Sequence, residues 1–197
     1  MSREWILSLV GLIIIIFVAI IGISFIPNAT NVPKNFTEAR ISGALIAGSL
    51  NNFSSESIDA LSKIAEKDRA AEYNEALDLT IHELERIRIA RVKTIELLGE
   101  LEKMATSIPE IPDSQAQTVG IRAISTKISL VDKLLNYNEK TKQLLDILRK
   151  KFTTYSPEKF DADTAAITQE MNDAALEINE LNRKYRNLME EFDRRTR

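Results

Sequence analysis

The first 27 residues carry an apolar run long enough to cross a bilayer. No side chain from Trp5 to Ile26 is ionisable. A helix of that length spans about 33 Å, close to the ~30 Å thickness of the hydrocarbon core. Trp5 and Phe25 lie at the two ends of the run, where aromatic side chains favour the membrane interface. The run exceeds the core of a cleavable signal peptide, so it predicts one transmembrane signal anchor over residues 1–27.

Two segments of different composition follow the anchor. Residues 28–36 are rich in asparagine and contain Pro33, which predicts an extended spacer that ends in a cap at Asn35 or Thr37. No side chain is charged from Ile41 to Ser55. This stretch is too short to span a bilayer, and it predicts a juxtamembrane helix over residues 37–54.

The uncharged stretch has two interpretations. It is either the first helix of a bundle, rich in small residues, or a patch that faces a partner near the membrane. Ala44 and Gly48 form a smooth stripe of small residues one helical turn apart, which favours close helix contact. The candidate partner-contact residues are therefore Ile41, Ala44, Leu45, Gly48 and Phe53.

Residues 55–197 show long helical periodicities separated by proline-containing breaks. The elements predicted in order are a helix from about Glu56 to Thr106 capped by Ser54 or Ser55, a turn at 107–114, a helix over about 115–152, and a helix that starts at Ser156-Pro157. Asp113 or Ser114 is the predicted cap of the helix over 115–152. The apolar register changes near residues 66–75, which predicts a bend there. We expect an all-α, elongated antiparallel bundle with coiled-coil-like packing. It has three helices, or four if the juxtamembrane helix joins it.

Each long helix has a predicted apolar stripe. The stripes contain Leu77, Leu84, Ile87, Leu98, Leu101, Ala105 and Ile108 in the first helix; Ile121, Ile124, Ile128, Val131, Leu135, Leu145 and Phe152 in the second; and Phe160, Ile167, Met171, Ala174, Ile178, Leu181, Tyr185, Leu188 and Phe192 in the third. Thr80, Arg91 and Thr94 interrupt the first stripe. Asn138 and Lys142 interrupt the second. Polar residues at such positions either fix the register or oligomeric state of a bundle or lie at a solvated edge, and we favour the solvated edge.

The amino-acid composition excludes several classes of fold and of catalytic or metal-binding site. The 197 residues include 6 glycines and 5 prolines, too few for a sheet-rich fold with many turns. The absence of cysteine excludes disulfides, thiolate metal sites and cysteine nucleophiles, and His82 is the single histidine. His82 forms an i, i+4 pair with Asp78 on a face that we expect to be solvated. The sequence therefore predicts no catalytic, cofactor-binding or metal-binding residue, and no cofactor.

Charge follows the predicted helices. The net charge of -3 argues against a nucleic-acid partner, which would require a basic surface. Residues 107–156 carry a basic excess, whereas residues 55–106 and 157–197 are both acidic. Neighbouring antiparallel helices of opposite charge attract one another, so this pattern requires no external partner.

One feature of the sequence indicates on which side of the membrane the C-terminal domain lies. Three N-x-S/T sequons, at Asn28, Asn35 and Asn52, cluster between the membrane run and the long helices. Basic residues on the two sides of the run are nearly balanced. We therefore expect a single-pass protein of the cell membrane whose C-terminal domain is extracytoplasmic, with the three asparagines as candidate glycosylation sites.

These features favour a structural function. We expect a non-catalytic accessory or scaffolding subunit that lies beside the lipid bilayer and contacts other protein subunits or a second copy of itself through helix faces.

An alternative function is ligand sensing, for an unknown small molecule. An up-and-down helical bundle on a membrane anchor resembles, in architecture alone, the extracytoplasmic sensor domains of bacterial and archaeal chemoreceptors. This sequence shows neither the second transmembrane helix nor the cytoplasmic hairpin of those receptors. Sensing would therefore imply signalling through a partner protein. An enzyme that uses a surface carboxylate pair is a third and more remote class.

Overall fold

A computed structural model describes residues 31–154 and 160–197 of the chain. This part contains four long α-helices: α1 (Lys34–Arg69), α2 (Tyr73–Ser107), α3 (Ser114–Thr153) and α4 (Asp161–Arg195). A short 3₁₀ turn, Ile108–Glu110, joins α2 to α3. The described residues contain no strand, and the four helices pack against each other. The predicted all-α bundle is therefore confirmed, with four helices.

The helices alternate in direction. Each packs along the next in the chain: α1 along α2, α2 along α3, and α3 along α4. The bundle closes where α1 begins, because the rings of Phe36 and Phe192 stack there at 5.1 Å. We call this the proximal end, since residues 1–33 join the bundle there. At the opposite, distal end, Lys151 near the end of α3 pairs with Asp68 near the end of α1 at 2.8 Å.

The first helix differs from the prediction at both ends and in its middle. It begins at Lys34, so Asn35 and Thr37 lie inside it and do not cap it. It also continues through Ser54 and Ser55, where a break was predicted. The predicted juxtamembrane helix is thus the first half of α1, because no residue between 34 and 69 breaks the backbone hydrogen-bond ladder.

The real break lies at residues 70–72, inside the region where a bend was predicted. Ala71 has a φ of 58°, in the left-handed region that glycine usually occupies. Its N–H donates to the carbonyl of Asp68 at 3.1 Å, and the N–H of Glu72 donates to that of Lys67 at 2.9 Å. This pair of bonds is the Schellman motif. The sequence did not predict a full turn because alanine stands where glycine is expected.

Only alternate positions of the predicted α2 stripe are displaced, each by one residue, as where Leu97 is buried in place of Leu98. Thr80 and Thr94, which we expected to interrupt the apolar stripe, are fully buried. Their hydroxyls donate to the carbonyls of Ala76 and Ala90 at 2.7 and 2.8 Å, so neither hydroxyl is buried without a hydrogen bond. The residues that α2 buries are Ala76, Thr80, Glu83, Ile87, Ala90, Thr94, Leu97, Leu101, Met104 and Ser107. Of the predicted stripe, Ile87, Leu101 and Ile108 are buried, Leu77, Leu84 and Leu98 are half-buried, and Ala105 is exposed.

The predictions for α3 and α4 agree more closely with the structure than those for α2. The N-terminus of α3 is capped by Asp113, whose carboxylate accepts from the N–H of Gln115 at 2.8 Å, as predicted. Ile121 and Ile128, however, are exposed, because the inner face of α3 runs through their neighbours Gly120, Ile124 and Lys127. In α4, Met171, Ile178, Leu188 and Phe192 are buried as predicted.

Several predictions lie outside the described residues. They are the transmembrane helix over residues 1–27 with its interface residues Trp5 and Phe25, the sequon at Asn28, and the helix start at Ser156-Pro157. Within the described residues, each of the four helices is too polar or too short in its apolar runs to cross a bilayer.

Candidate partner-binding surface and polar sites of the bundle

The predicted contact residues of α1 divide between its outer and inner faces. Leu45 is 70% exposed and Ile41 is 43% exposed. A Cβ built on Gly48 would meet no atom within 4 Å, so Gly48 also faces outward. Ala44 is half-buried, and Phe53 packs against the core. The structure therefore retains Ile41, Leu45 and Gly48 as a surface and places Phe53, partly buried, against the core.

Close packing of α1 depends on a glycine that the sequence analysis did not select. A Cβ on Gly43 would lie 3.3 Å from Leu97 Cδ1 and 3.6 Å from the Cβ of Glu100, so α1 and α2 approach closely there. The small-residue pair Ala44 and Gly48 plays no comparable part, since Gly48 faces open space. Gly43 also shows that residues 41–48 of α1 lie beside residues 92–99 of α2.

The outer face of α2 also carries exposed apolar residues. Ile89, Val92 and Ile95 are 37%, 47% and 53% exposed. The sequence analysis assigned a single apolar stripe to α2, although this helix has apolar residues on both its inner and its outer face. The outer face was therefore not predicted. We call Ile41, Leu45, Ile89, Val92 and Ile95 the α1/α2 outer surface.

Charged residues of α2 near this surface are neutralised within their own helix. Arg88 pairs with Glu85 at 2.7 Å, and Lys93 pairs with Glu96 at 2.7 Å. Such i, i+3 pairs lower the net charge of the face without a partner from another helix. An apolar partner would therefore meet little net charge at the α1/α2 outer surface.

Two of the candidate glycosylation sites lie on α1. Asn35 and Asn52 are both exposed, and Asn52 lies on the outward side of the helix close to Gly48. The third sequon, at Asn28, lies outside the described residues. An N-linked glycan at Asn52 would cover the part of the protein next to the α1/α2 outer surface.

The proximal half of the interior contains one partly buried cation, Arg40, and one buried cation, Lys127. Arg40 donates two hydrogen bonds to the carboxylate of Asp193, at 2.6 and 2.8 Å, and this bidentate pair ties α1 to α4. Lys127 is 6% exposed, and its Nζ lies 4.7 Å from the ring centroid of Tyr185. No carboxylate among the described residues forms an ion pair with Lys127. Desolvation lowers the pKa of Lys127 to about 8.

The distal half buries a carboxylate instead. Glu83 is 1% exposed and accepts a hydrogen bond from the Ser57 hydroxyl on Oε1. Its Oε2 accepts no hydrogen bond from a described residue, although Arg86 Nε lies 3.3 Å away as an ion-pair partner. Desolvation raises the pKa of the Glu83 carboxyl, and the Ser57 hydrogen bond and the Arg86 charge oppose that rise.

A small cavity lies beside this carboxylate, among α1, α2 and α3. Its volume is about 30 Å³, room for roughly two water molecules. The polar residues that line it are Ser54, Ser57, Thr94, Tyr137, Asn138 and Thr141. Hydroxyl and amide groups around a void of this size favour bound water over an organic ligand.

A larger groove lies on the outside of the bundle between α2 and α3, in the distal half. Its volume is about 440 Å³. Leu84 and Ile87 of α2 supply its apolar lining. The charged residues that line it are Arg88, Arg91, Glu139, Lys142, Asp146 and Arg149. Sequence analysis did not predict this site, because its residues come from two helices and Lys142 was assigned only to a solvated edge.

The structure offers little for metal chemistry in its described part. His82 is exposed, as we expected for a surface pair with Asp78. No group of three histidine, aspartate or glutamate side chains in residues 31–154 and 160–197 is arranged to hold a metal ion.

Comparisons with protein-family models, with curated proteins and with solved structures found no match to this chain.

Proposed function

We propose that this protein is a membrane-anchored, non-catalytic accessory or scaffolding subunit that binds another protein subunit, or a second copy of itself, through the α1/α2 outer surface. Residues 5–26 anchor it in the cell membrane as a single pass, and the four-helix bundle lies on the extracytoplasmic side. The observation that carries the proposal is Leu45, which is 70% exposed beside Ile41 on a helix whose other large apolar residues pack inward.

The position of this surface supports a membrane partner. Helix α1 begins at Lys34, a few residues after the apolar run ends at Ile26. Ile41 and Leu45 are then about 10 and 16 Å along the helix from its first residue, at 1.5 Å per residue. A neighbouring subunit that stands on the same membrane can reach that height without a long extension.

Exposed apolar side chains on two adjacent helices suit such a contact. The core of a protein interface is depleted in charged residues and rich in apolar ones. On the α1/α2 outer surface, the charges of α2 already pair within their own helix. Burial of this surface against a partner would therefore desolvate few unpaired charges.

The test is a charge substitution with a matched control. Leu45→Asp should remove co-purifying subunits when the protein is extracted from its native membrane in mild detergent and the mass of the complex is measured. Leu176→Asp is the control, because Leu176 is a 62% exposed leucine on α4, away from the proposed contact. Circular dichroism should show equal helicity for both variants and the wild type.

Either of two results would overturn the proposal. One is a complex of unchanged mass with Leu45→Asp, and the other is equal loss of partners with both variants. Sidedness has a separate test, since the chain contains no cysteine. A single Asn52→Cys substitution should react with a membrane-impermeant maleimide in intact cells if the bundle is extracytoplasmic, and should be protected if it is not.

Ligand sensing is a second candidate function, and the groove between α2 and α3 favours it. A volume of about 440 Å³ lies within the range of small-molecule sites. A ligand that contacts both helices could bias their packing and transmit that change to a partner.

A further inference from the structure

We propose that the groove between α2 and α3 binds a small organic monoanion with an apolar body, such as an aromatic carboxylate. The inference deepens the second candidate function and rests on it for any signalling role. Binding itself could occur without signalling. It is independent of the proposed scaffold, because the groove and the α1/α2 outer surface share no residue.

The charge balance of the groove favours one negative charge. Arg88 is already held by Glu85, with hydrogen bonds of 2.7 to 3.2 Å, and Glu85 is outside the groove lining. Three cations remain, and only two carboxylates, Glu139 and Asp146, line the groove with them. The groove therefore presents an excess of about one positive charge, although the whole chain is acidic.

The geometry shows where that excess lies. Asp146 is shared by two cations: its Oδ2 accepts from Lys142 at 2.8 Å, and its Oδ1 lies 2.9 Å from Arg149 Nη2. One carboxylate cannot neutralise both charges. Arg91 contributes less to the excess, since it pairs with Glu139 across the two helices at 3.3 Å. A ligand carboxylate near Lys142 and Arg149 would supply the missing negative charge.

The lining favours an apolar body on the same ligand. Leu84 is half-buried and Ile87 is buried, and both line the groove beneath the charged side chains. Sites for small molecules combine such apolar walls with a few polar groups that fix orientation. Asn138 also lines the groove, and within the described part of the chain its side-chain amide has a single long hydrogen bond, 3.5 Å to Thr94 Oγ1. That amide is available to orient a ligand.

The position of the groove selects a dissolved ligand over a lipid headgroup. Arg91 is 16 residues from Ser107, where α2 ends at the proximal end. At 1.5 Å per residue this is about 24 Å of helix, and the other lining residues of α2 are farther away. If residues 5–26 anchor the chain and the bundle stands upright on the membrane, the groove is well above the headgroups, so an anion in the surrounding water is the ligand that reaches it.

The test uses the full chain in nanodiscs of neutral phosphatidylcholine and 4-fluorobenzoate as the probe. We expect saturable broadening of its fluorine NMR signal, beyond that in empty nanodiscs, and displacement by unlabelled benzoate. The neutral and cationic counterparts, 4-fluorobenzyl alcohol and 4-fluorobenzylamine, should show no saturable effect. Equal binding of the alcohol, or no binding of the benzoate, would overturn the inference.

Substitutions locate the site and give effects in opposite directions. Arg149→Gln should weaken 4-fluorobenzoate binding at least fivefold, whereas Asp146→Asn should strengthen it severalfold, because it removes the competing carboxylate. Lys93→Gln is the matched control, since Lys93 is a cation of α2 that pairs with Glu96 outside the groove. Loss of affinity in Asp146→Asn, or equal effects of Arg149→Gln and Lys93→Gln, would contradict this location.

Signalling is measured separately. Hydrogen exchange of α2 and α3 should change on addition of benzoate beyond the turns that line the groove if the protein senses its ligand. If benzoate binds and exchange changes only at the groove, the binding site stands and the sensing function fails.

Discussion

The two halves of the bundle differ in how completely they are packed. In the proximal half, the rings of Phe36 and Phe192 are fully buried and stacked at 5.1 Å, and a Cβ built on Gly120 would lie only 3.1 Å from Cε2 of Phe192. In the distal half, the corresponding aromatic pair is Tyr73 and Phe152, with centroids at 6.2 Å and both rings partly in solvent. The internal cavity lies towards this half, and the outer groove lies in it.

The difference in packing between the two halves indicates which half can change conformation. Close packing transmits force and resists rearrangement, whereas regions with voids and solvent-exposed contacts open at lower free energy. The proximal half adjoins the segment that we propose as the anchor, and there the buried pair of Arg40 and Asp193 also ties α1 to α4. A rigid base with a more loosely packed distal half suits a bundle that is held at one end and recognises ligands at the other.

The largest expected effect comes from removal of a proximal ring. Phe192→Ala should lower the free energy of unfolding by about 3–5 kcal/mol, the usual cost of a large buried aromatic. Phe152→Ala, its distal counterpart, should cost about 1–2 kcal/mol because that ring is only half-buried. Denaturant unfolding followed by circular dichroism measures both. Equal losses in the two variants would show that the halves are packed alike.

The second effect concerns the buried cation of the proximal half. Desolvation lowers the pKa of Lys127 from its ordinary value of 10.5 to about 8. Between these values the unfolded chain binds more protons than the folded one, so the stability of the wild type should rise as the pH increases from 8 to about 10.5. At pH 7 the desolvated charge costs roughly 3 kcal/mol, offset in part by the Tyr185 ring.

Lys127→Met should therefore stabilise the protein at pH 7 by about 2 kcal/mol, and the advantage should vanish near pH 10.5. Unfolding curves at pH 7, 8.5 and 10 would measure this trend. Lys63→Met is the control, because Lys63 is exposed on α1 and its replacement removes no buried charge. A variant that is less stable than the wild type at pH 7 would mean that the cation–π contact outweighs desolvation.

The smallest expected change in stability comes from substitutions in the turn at residues 70–72. Ala71 has a φ of 58°, and Ala71→Gly should stabilise the bundle by about 0.5–1 kcal/mol, since glycine adopts this conformation without a steric cost. Ala70→Gly is the matched control. The φ of Ala70 is -78°, so glycine there only increases the freedom of the unfolded chain and should be destabilising. Thermal melting of the two variants should shift in opposite directions; a shared direction would contradict the account of the turn.

The candidate sites were only partly predictable. Ile41, Leu45 and Gly48 were predicted because an uncharged stretch is a local feature of the sequence. The contribution of α2 to the α1/α2 outer surface was missed, since Val92 and Ile95 are apolar and nothing local separates an outward isoleucine from an inward one. Lys142 was assigned correctly to a solvated position, but its role in a groove depends on Arg91 of another helix.

Charge complementarity was predicted at the level of whole helices. The basic excess of α3 meets the acidic excess of α4 through Lys133–Glu177 and Lys140–Glu170, both at 2.5 Å. Individual ion pairs could not be predicted from the sequence, because an ion pair depends on which turns of two helices lie at the same height. Arg40 and Asp193 are 153 positions apart in the chain and meet only because α1 and α4 close the bundle.

The sequence alone determined the features that follow from local periodicity. Helix-type spacing of apolar residues, few glycines and prolines, and the Asp113 cap specified an all-helical bundle with a turn before α3. The tertiary structure decided which face of each helix is inner. Thr80 and Thr94 can be buried because their hydroxyls bond to their own helix, and Ile121 can be exposed because its neighbours fill the interior. Burial depends on the side chains that surround a position, and those come from parts of the chain that only folding brings together.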